Sequence, residues 1–299
     1  MTSASPALPA GSRPVFDATL IFTISFTVIA WASSFPAIRA GLGSFGPLEM
    51  AALRFALAGV PAALFLVLTR APLPAASDIW RFLVGGIVFI AGYAVLLNLG
   101  QTVVPAGAAS FIINTNPIMT AALAMLILGE RFSLISWLGT AVSFAGIGLI
   151  ALGNGLSLDI GISVLLILGA AFCNAITTVV QKPLFARHKP LSVAAWNMAI
   201  GGLALSPLLP NAIAQAQVAS TEALFSVLYL AIVSSLAAYG TWAITLSRLP
   251  AARASNFQYC VPPIATLIGF LWLGEVPSAL GIVGGLMALA GVVIVNLKR

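Results

Sequence analysis

Charged side chains are scarce in this chain. Only 7% of its 299 residues are Asp, Glu, Lys or Arg, whereas 61% are hydrophobic. Soluble domains carry about 25% charged residues, which cover their surface with polar groups. A water-soluble fold is therefore excluded for this composition, and the sequence predicts an integral membrane protein whose surroundings are the lipid bilayer.

Side chains that bind metals or activate nucleophiles are also few. The chain has one histidine, His188, and two cysteines, Cys173 and Cys260. His188 lies in the charged segment KPLFARHKP and is interpreted as a solvated loop residue, and both cysteines lie in apolar stretches. No CxxC, HExxH or GxxxxGK[ST] pattern occurs, and these are the patterns of redox, zinc and phosphate-binding sites. We therefore predict no metal, no cofactor, no ATP hydrolysis and no enzyme activity.

Acidic residues are absent from the middle of every apolar stretch. All seven lie near the ends of such stretches: Asp17, Glu49, Asp78, Glu130, Asp159, Glu222 and Glu275. Intramembrane carboxylates are common proton carriers, so a carboxylate-based proton symport site is not expected. The net charge of +6 is spread along the chain and forms no basic stripe, which argues against nucleic-acid binding.

Long apolar segments are what the chain has in abundance. A helix needs about 20 mostly apolar residues to cross the hydrocarbon core, and ten segments meet this length. They are 18–40, 47–69, 79–99, 105–128, 133–152, 158–181, 190–210, 222–246, 250–273 and 277–297. The predicted fold is an all-α membrane protein with ten transmembrane helices, preceded by a tail of residues 1–17.

The distribution of Lys and Arg predicts the orientation. With the N-terminus in the cytoplasm, the cytoplasmic loops and tails hold all of the 13 basic residues except Arg39 and Arg54, which lie in or beside the first two helices. Loops on the cytoplasmic side are enriched in Lys and Arg. Both termini are therefore predicted to be cytoplasmic.

An internal repeat relates the two halves of the chain. When the sequence is shifted by 145 residues, Pro105 meets Pro250, Pro117 meets Pro262, and Leu-Gly-Glu at 128–130 meets the same tripeptide at 273–275. Each half, 18–152 and 158–297, holds five predicted helices. Because five is odd, the second half enters the membrane from the opposite side and has the opposite orientation. Inverted repeats are typical of secondary transporters, in which the substrate site lies near the midplane where the halves meet.

The stretch Asn114-Thr115-Asn116-Pro117 interrupts the fourth apolar segment. Cut at this point, the segment gives pieces of about 9 and 11 residues that are too short to cross the membrane, so the stretch is predicted to lie inside one helix. Pro117 then kinks this helix, and Pro262-Pro263 marks a matching break in the ninth. Two interpretations are open: a hinge that lines a substrate path, or a structural kink whose Asn side chains satisfy the broken backbone.

Other polar or aromatic residues are predicted near mid-depth. They are Trp31, Ser34, Tyr93, Asn174, Asn197, Ser234, Ser235, Tyr239, Gln258 and Tyr259, with Asn114 and Asn116. Each could equally join neighbouring helices by hydrogen bonds. Together they describe a cavity for a polar solute without net charge, such as an amino-acid zwitterion or a small amphiphilic metabolite.

Arg54 is the one cation well inside a predicted span. An ionisable residue at such a position is a candidate functional residue whose partner must be named. Glu49, five residues earlier, is one candidate partner, and a substrate carboxylate is the other.

These features together resemble a known family. WASSFPAIRAGL in helix 1, LEMAALRFALAG in helix 2 and NTNPIMTAALAMLILGERFS across helices 4 and 5 resemble the EamA-type family of the drug/metabolite transporter superfamily, and within it the YddG-type amino-acid exporters. The resemblance implies an inner-membrane secondary transporter of bacteria that exports neutral or aromatic amino acids by alternating access, without ATP. It also includes an Arg at the position of Arg54.

Alternatives remain at this point. The same fold could export another small metabolite or a drug-like amphiphile, and a channel would also be compatible with the composition. Small-residue spacings such as Gly139…Gly146 and Gly281…Gly285 allow close helix contact, either within one chain or in a weak homodimer.

Overall fold

The described part of the chain is helical throughout. The computed structural model describes residues 17–116, 118–120, 122–123, 134–153, 158–248 and 257–296, and these residues include no strand. Six of the helices are long and apolar enough to cross a membrane: Ala18–Gly41, Pro47–Leu68, Ile79–Gln101, Asp159–Gln181, Pro190–Val218 and Thr221–Trp242. The predicted all-α class is confirmed for the described residues.

Five helices are defined in the described part of the first half. They are α1 (Ala18–Gly41), α2 (Pro47–Leu68), α3 (Ile79–Gln101), α4 (Ala106–Ile113) and α5 (Leu134–Gly153). Helix α1 is interrupted at Ser33, α3 contains a π-helical segment, and α4 is followed by a turn at residues 114 and 115 before helical residues resume at 116.

The second half of the chain follows the same order. Its segments are α6 (Leu158–Gln181), α7 (Pro190–Val218), α8 (residues 221–248), α9 (Val261–Leu273) and α10 (Ala279–Asn296). A short 3₁₀ segment, Phe257–Cys260, precedes α9.

Polar caps and prolines explain where several helices begin. Asp17 Oδ1 accepts the backbone N–H of Leu20 at 2.8 Å at the start of α1, and Ser220 Oγ accepts the N–H of Ala223 at 3.2 Å at the start of α8. Pro47 and Pro190 occupy the first turns of α2 and α7, where a missing backbone N–H costs no hydrogen bond.

The predicted end of the seventh helix was wrong. The sequence predicts a loop after residue 210, whereas α7 continues to Val218. A 3₁₀ turn at Ser206–Leu208 restarts the helix, so that Pro210 falls in a first turn and breaks nothing. Gln215 Oε1 then accepts the backbone N–H of Gly46 at 2.8 Å and ties the extension to the start of α2.

Helices α3 and α8 each contain a π-helical segment. The segments are Val84–Tyr93 in α3 and Leu230–Ala237 in α8. Shifting the first range by 145 residues gives 229–238, so the two segments occupy matching positions in the repeat. Short π-helical turns occur mostly at functional sites, and these two therefore direct attention to the residues around them.

Helices α5 and α10 meet at glycines that face each other. A Cβ added to Gly146 would lie 2.6 Å from Ala288 N, and one added to Gly284 would lie 2.5 Å from Gly146 O. Gly291 meets the backbone of Gly139 in the same way. Gly284 is the repeat equivalent of Gly139, and Gly291 is that of Gly146. Gly146 therefore packs against the equivalent of Gly139, and Gly139 packs against the equivalent of Gly146. Contacts across a two-fold axis have this reciprocal pattern. These glycines are therefore used within the chain.

The outside of the bundle is apolar. Leu68 and Leu271 are 73% and 72% exposed, and many other large aliphatic and aromatic side chains are also exposed. Monomeric soluble proteins rarely expose continuous apolar surface of this extent. The surface fits contact with lipid chains, and polar side chains such as Thr27, Gln101 and Thr245 are buried instead.

The glycine contact gives a test of the fold. Gly146→Ala is expected to lower the melting temperature of the purified protein in detergent, because its Cβ meets backbone atoms that cannot move aside, and overpacking of this kind costs about 1–3 kcal/mol. Gly148→Ala is the matched control on the same helix, since a Cβ there meets nothing within 4 Å. Equal melting temperatures for the two variants would contradict the packing described.

Candidate functional site

Arg54 lies buried in α2 and bonds to α8. Its side chain is 7% exposed, and Nε donates to Ser235 Oγ at 3.0 Å. Its Cζ also lies 5.0 Å from the ring centroid of Phe55. The aliphatic stem and one nitrogen are therefore held by packing and by a neutral hydroxyl.

No described acid neutralises this guanidinium. None of the ion pairs within 4.0 Å in the described part of the chain involves Arg54 or Glu49, so the Glu49 pairing considered from the sequence is not formed. The two Nη groups of Arg54 donate to no described residue and are not sealed in the interior. Their donors are therefore available, although the side chain as a whole is buried.

Five aromatic side chains form a connected group beside Arg54. We call them the aromatic cluster: Trp31, Phe89, Tyr93, Tyr239 and Trp242. The ring centroids are 5.8 Å apart for Trp31 and Tyr239 and 5.2 Å for Trp31 and Trp242. They are 5.6 Å apart for Phe89 and Tyr93 and 5.9 Å for Phe89 and Tyr239. Tyr93 and Tyr239 lie close enough to the Arg54 guanidinium to interact with it electrostatically.

The two π-helical segments bring this site together. Phe89 and Tyr93 belong to the segment of α3, and Ser235 belongs to the segment of α8, which ends just before Tyr239. Ser234 Oγ in the same segment donates to the carbonyl of Ala30 at 3.0 Å and fixes α8 against α1. The irregular backbone thus lies where α1, α2, α3 and α8 converge.

The arrangement can bind a carboxylate beside an apolar group. A guanidinium with free Nη donors matches the two oxygens of a carboxylate. Aromatic faces provide apolar contact and also attract an ammonium group. All five rings of the cluster are half-buried rather than sealed, so their faces are accessible to a solute.

Asn197 lies outside this site, contrary to the sequence-based expectation. Its amide forms two reciprocal hydrogen bonds with the amide of Gln181, at 2.9 and 3.0 Å. Gln181 Nε2 also donates to the carbonyl of Arg81 at 3.0 Å. Asn197 is therefore used in helix packing between α6, α7 and the start of α3.

Three further predicted cavity residues bond within their own helices. Ser34 Oγ donates to the carbonyl of Trp31 at 2.6 Å, and Asn114 Nδ2 donates to the carbonyl of Ser110 at 3.0 Å. Asn174 Oδ1 lies 3.4 Å from Thr178 Oγ1, one turn further on. For Asn114, the same carbonyl also accepts its backbone N–H at 3.2 Å, so both interpretations of this stretch remain predictions.

The remaining predicted residues lie at the breaks near α4 and α9. Asn116 Oδ1 accepts a hydrogen bond from Thr120 Oγ1 at 3.0 Å. Gln258 and Tyr259 lie half-buried in the 3₁₀ segment before α9, and Tyr259 packs against Ile118 and Val292.

Two prolines of the predicted hinge lie at the start of a helix, whereas the sequence predicted that they break one. Pro262 and Pro263 stand in the first turn of α9, where proline starts a helix instead of kinking one. Pro117 lies outside the described residues. The departures from α-helix nevertheless occur at matching places in the repeat, at 114–115 and at 257–260.

Phe89 and Trp242 were not predicted from the sequence. Both stand one helical turn from a predicted residue, since Phe89 precedes Tyr93 by four positions and Trp242 follows Tyr239 by three. Aromatic residues at this spacing share one face of a helix. That pattern would have indicated both of them.

Ion pairs tie the helices together at both ends of the bundle. At one end, Arg39 pairs with Glu275 at 3.2 Å, and Glu275 Oε2 accepts the N–H of Ala106 at 2.8 Å. At the other end, Asp78 lies within 3.2 to 3.5 Å of Arg81, Arg187 and His188.

The prediction of a solvated His188 was wrong. Its side chain is 11% exposed, because the ring packs edge-on against Phe82 at 5.3 Å and its Nε2 reaches the buried carboxylate of Asp78. The charged segment around it folds back onto the bundle.

Comparisons with known proteins agree with a membrane-transport site. The family model of the EamA-like transporters matches the chain twice, over residues 18–152 and 161–297. A probable terminal-alkyne amino-acid exporter from Streptantibioticus cattleyicolor is 35% identical over 280 residues, which cover 92% of this chain and 93% of the relative. A probable amino-acid metabolite efflux pump from Salmonella typhimurium is 25% identical over 299 residues, covering 91% and 93%.

A solved structure shares the fold. It is a crystal structure of a protein without further description, with a TM-score of 0.60 and 19% sequence identity, and the match covers 93% of this chain and 96% of the other. At this level of identity, the likeness concerns the fold alone.

The amide pair gives a test of the assignment of Asn197. Asn197→Ala is expected to lower the melting temperature, because Gln181 Oε1 loses its donor inside the bundle and an unsatisfied buried group costs about 1–3 kcal/mol. Asn174→Ala, with contacts only in its own turn, should change the melting temperature far less. A larger loss of stability for Asn174→Ala would contradict this assignment.

Proposed function

The chain belongs to the EamA-like transporter family, and on that premise we propose that it exports zwitterionic amino acids by alternating access. It is a multi-pass transporter of a bacterial inner membrane. Relatives described as an amino-acid exporter and an amino-acid metabolite efflux pump support this substrate class. Neutral and aromatic amino acids are the proposed cargo.

The observation that carries the proposal is the unpaired Arg54. A guanidinium buried without a carboxylate is unfavourable unless a ligand provides one. Its Nη donors are open, and the aromatic cluster lies beside them. In the proposed complex the substrate carboxylate binds Arg54, and its side chain and ammonium contact the aromatic faces.

The proposed architecture is two inverted five-helix halves. We propose that they comprise residues 18–152 and 158–297, with ten membrane spans and both termini in the cytoplasm. The cross-paired glycines of α5 and α10 and the matching π-helical segments support a two-fold relation between the halves. The use of these glycines within the chain also favours a monomer, with a weak homodimer as the alternative.

Alternating access needs places where the halves can change shape. We propose that these lie at the matched irregular segments, Asn114 to Pro117 in the first half and Gln258 to Pro263 in the second. In the described residues, a turn at 114–115 follows α4 and a 3₁₀ segment at 257–260 precedes α9, and such departures from the α-helix often mark hinges. Transport is proposed to follow the substrate gradient or exchange, since the sequence contains no phosphate loop.

The proposal predicts a strong effect at Arg54. In proteoliposomes preloaded with phenylalanine, Arg54→Met should reduce counterflow of labelled phenylalanine about tenfold or more, because a charge-assisted hydrogen bond contributes about 1.5–3 kcal/mol and 1.4 kcal/mol is a factor of ten. Arg54→Lys should recover only part of the flux, since an ammonium cannot bind a carboxylate bidentately.

Control variants and competitors sharpen this test. Glu49→Gln should transport normally, because Glu49 does not pair with Arg54. Phenylpropionate, which keeps the carboxylate, should compete better than phenethylamine, which lacks it. The reverse order of competition would favour the alternative cargo, a cationic drug-like amphiphile, and normal flux in folded Arg54→Met would refute the site.

A further inference from the structure

A pocket lies between α8 and α9, and none of its lining residues belongs to the aromatic cluster. It has a volume of about 570 Å³. Helix α8 contributes Glu222, Phe225, Ser226 and Tyr229, which follow the i, i+3, i+4, i+7 spacing of one helix face. Ile268 and Trp272, one turn apart on α9, form the opposite wall.

The floor of this pocket is a hydrogen bond between helices. Ser33 Oγ, at the interruption of α1, lies 2.5 Å from the hydroxyl oxygen of Tyr229. Ser33 is eight residues from Gly41, the end of α1, so the floor lies about 12 Å below that end at 1.5 Å per residue. The mouth lies at the face of the bundle that carries Arg39 and Glu275, because Ser44, just after α1, bonds to Ser220 at the start of α8.

Glu222 provides an acidic group without a cation. Its Oε1 accepts the indole N–H of Trp272 at 3.1 Å, and no described Lys, Arg or His lies within 4.0 Å of the carboxylate. The mouth of the pocket thus combines a carboxylate with an indole ring, a pairing that attracts an ammonium group.

Ser226 provides an independent sign of a ligand. Its side chain is 2% exposed, and Oγ has no hydrogen-bond partner. Buried hydroxyls without a partner are rare and need an explanation. Ser226 lines the pocket one turn below Glu222, so a rotation of its side chain toward the pocket would let a polar group of a ligand satisfy it.

The flank around the mouth is apolar and exposed. Phe225 is 66% exposed and Trp272 is 42% exposed, and the neighbouring Leu267, Phe270 and Leu271 are exposed too. In a membrane this surface faces acyl chains. A lipid therefore lies beside the pocket at all times.

We propose that this pocket binds the headgroup of a phospholipid with a primary ammonium, namely phosphatidylethanolamine. The ammonium donates to the Glu222 carboxylate and lies against the Trp272 indole. Ser226 Oγ donates to a phosphate or ester oxygen one turn deeper. The part of one acyl chain nearest the headgroup runs along Phe225 and Ile268. The inference concerns lipid recognition and does not depend on which solute the central site carries.

The chemistry selects this headgroup over other lipids. A primary ammonium has three N–H donors for the carboxylate, whereas a choline ammonium has none. An anionic headgroup such as that of phosphatidylglycerol would place a net negative charge beside Glu222 without a compensating cation. Preference for phosphatidylethanolamine over both is therefore the signature of the site.

Native mass spectrometry of the full-length chain in detergent tests this proposal. The chain is titrated with phosphatidylethanolamine, phosphatidylcholine or phosphatidylglycerol of identical acyl chains. The unmodified protein should bind one phosphatidylethanolamine about tenfold more tightly than the other lipids, and Glu222→Gln should remove this preference, as expected for loss of one charge-assisted hydrogen bond. Glu49→Gln is the matched control, an unpaired acid of another helix, and should keep it.

Ser226→Ala separates ligand binding from protein stability. Because Oγ bonds to nothing in the protein, this variant should keep its melting temperature and yet bind phosphatidylethanolamine several-fold more weakly. Equal binding of the three lipids, an unchanged preference in Glu222→Gln, or displacement of the lipid by millimolar ethanolamine would each overturn the proposal.

Discussion

Hydrocarbon offers no hydrogen bonds, and this constraint governs where the chain can depart from a regular helix. Irregular backbone is tolerated at membrane depth only against protein or a water-filled cavity. At the interruption of α1, the hydroxyl of the buried Ser33 donates to the carbonyl of Ile29 at 2.7 Å, beside the backbone N–H of Ser33. After α4, the buried side chains of Asn114 and Thr115 donate to carbonyls of the preceding turn. At these two interruptions, polar side chains are therefore buried in the protein and hydrogen-bonded to the backbone.

The strength of the contacts differs between the middle and the ends of the bundle. Backbone contact between α5 and α10 at paired glycines leaves no room for a Cβ, so this contact resists change. The ion pair of Arg39 and Glu275 joins side chains that are 29% and 19% exposed, whereas the carboxylate of Asp78 at the other end is 3% exposed. Exposed ion pairs contribute about 0–1 kcal/mol, and a buried charge that loses its partner costs about 3–5 kcal/mol. In the proposed cycle, the pair of Arg39 and Glu275 would therefore break at less cost than the contacts of Asp78, while the glycine contact keeps α5 and α10 together.

Much of the fold could be predicted because hydrophobic length and repeat spacing are local properties of the sequence. The starts of α1, α2, α3 and α7 match the predicted ones, and the Asn-Thr-Asn-Pro stretch indicated the break at 114–115. The extension of α7 was missed because its Ala- and Gln-rich sequence is too polar to count as a span. The separation of Asn197 from Arg54 could not be predicted either, since pairing with Gln181 depends on how α6 and α7 pack. Trp31, Tyr93 and Tyr239 were predicted as members of one cavity, but which rings contact each other depends on how α1, α3 and α8 pack.

In the proposed transport cycle, the charge of Arg54 would link substrate binding to conformational change. An empty site leaves the guanidinium with one neutral partner, Ser235, so closing a cavity around it would remove water from a charge without compensation. A bound carboxylate would supply that compensation and lower the free energy of the closed state. An occupied carrier should then change conformation more readily than an empty one. No acid among the described residues lies within 4.0 Å of Arg54, so in this proposal the substrate carboxylate itself serves as the counter-ion.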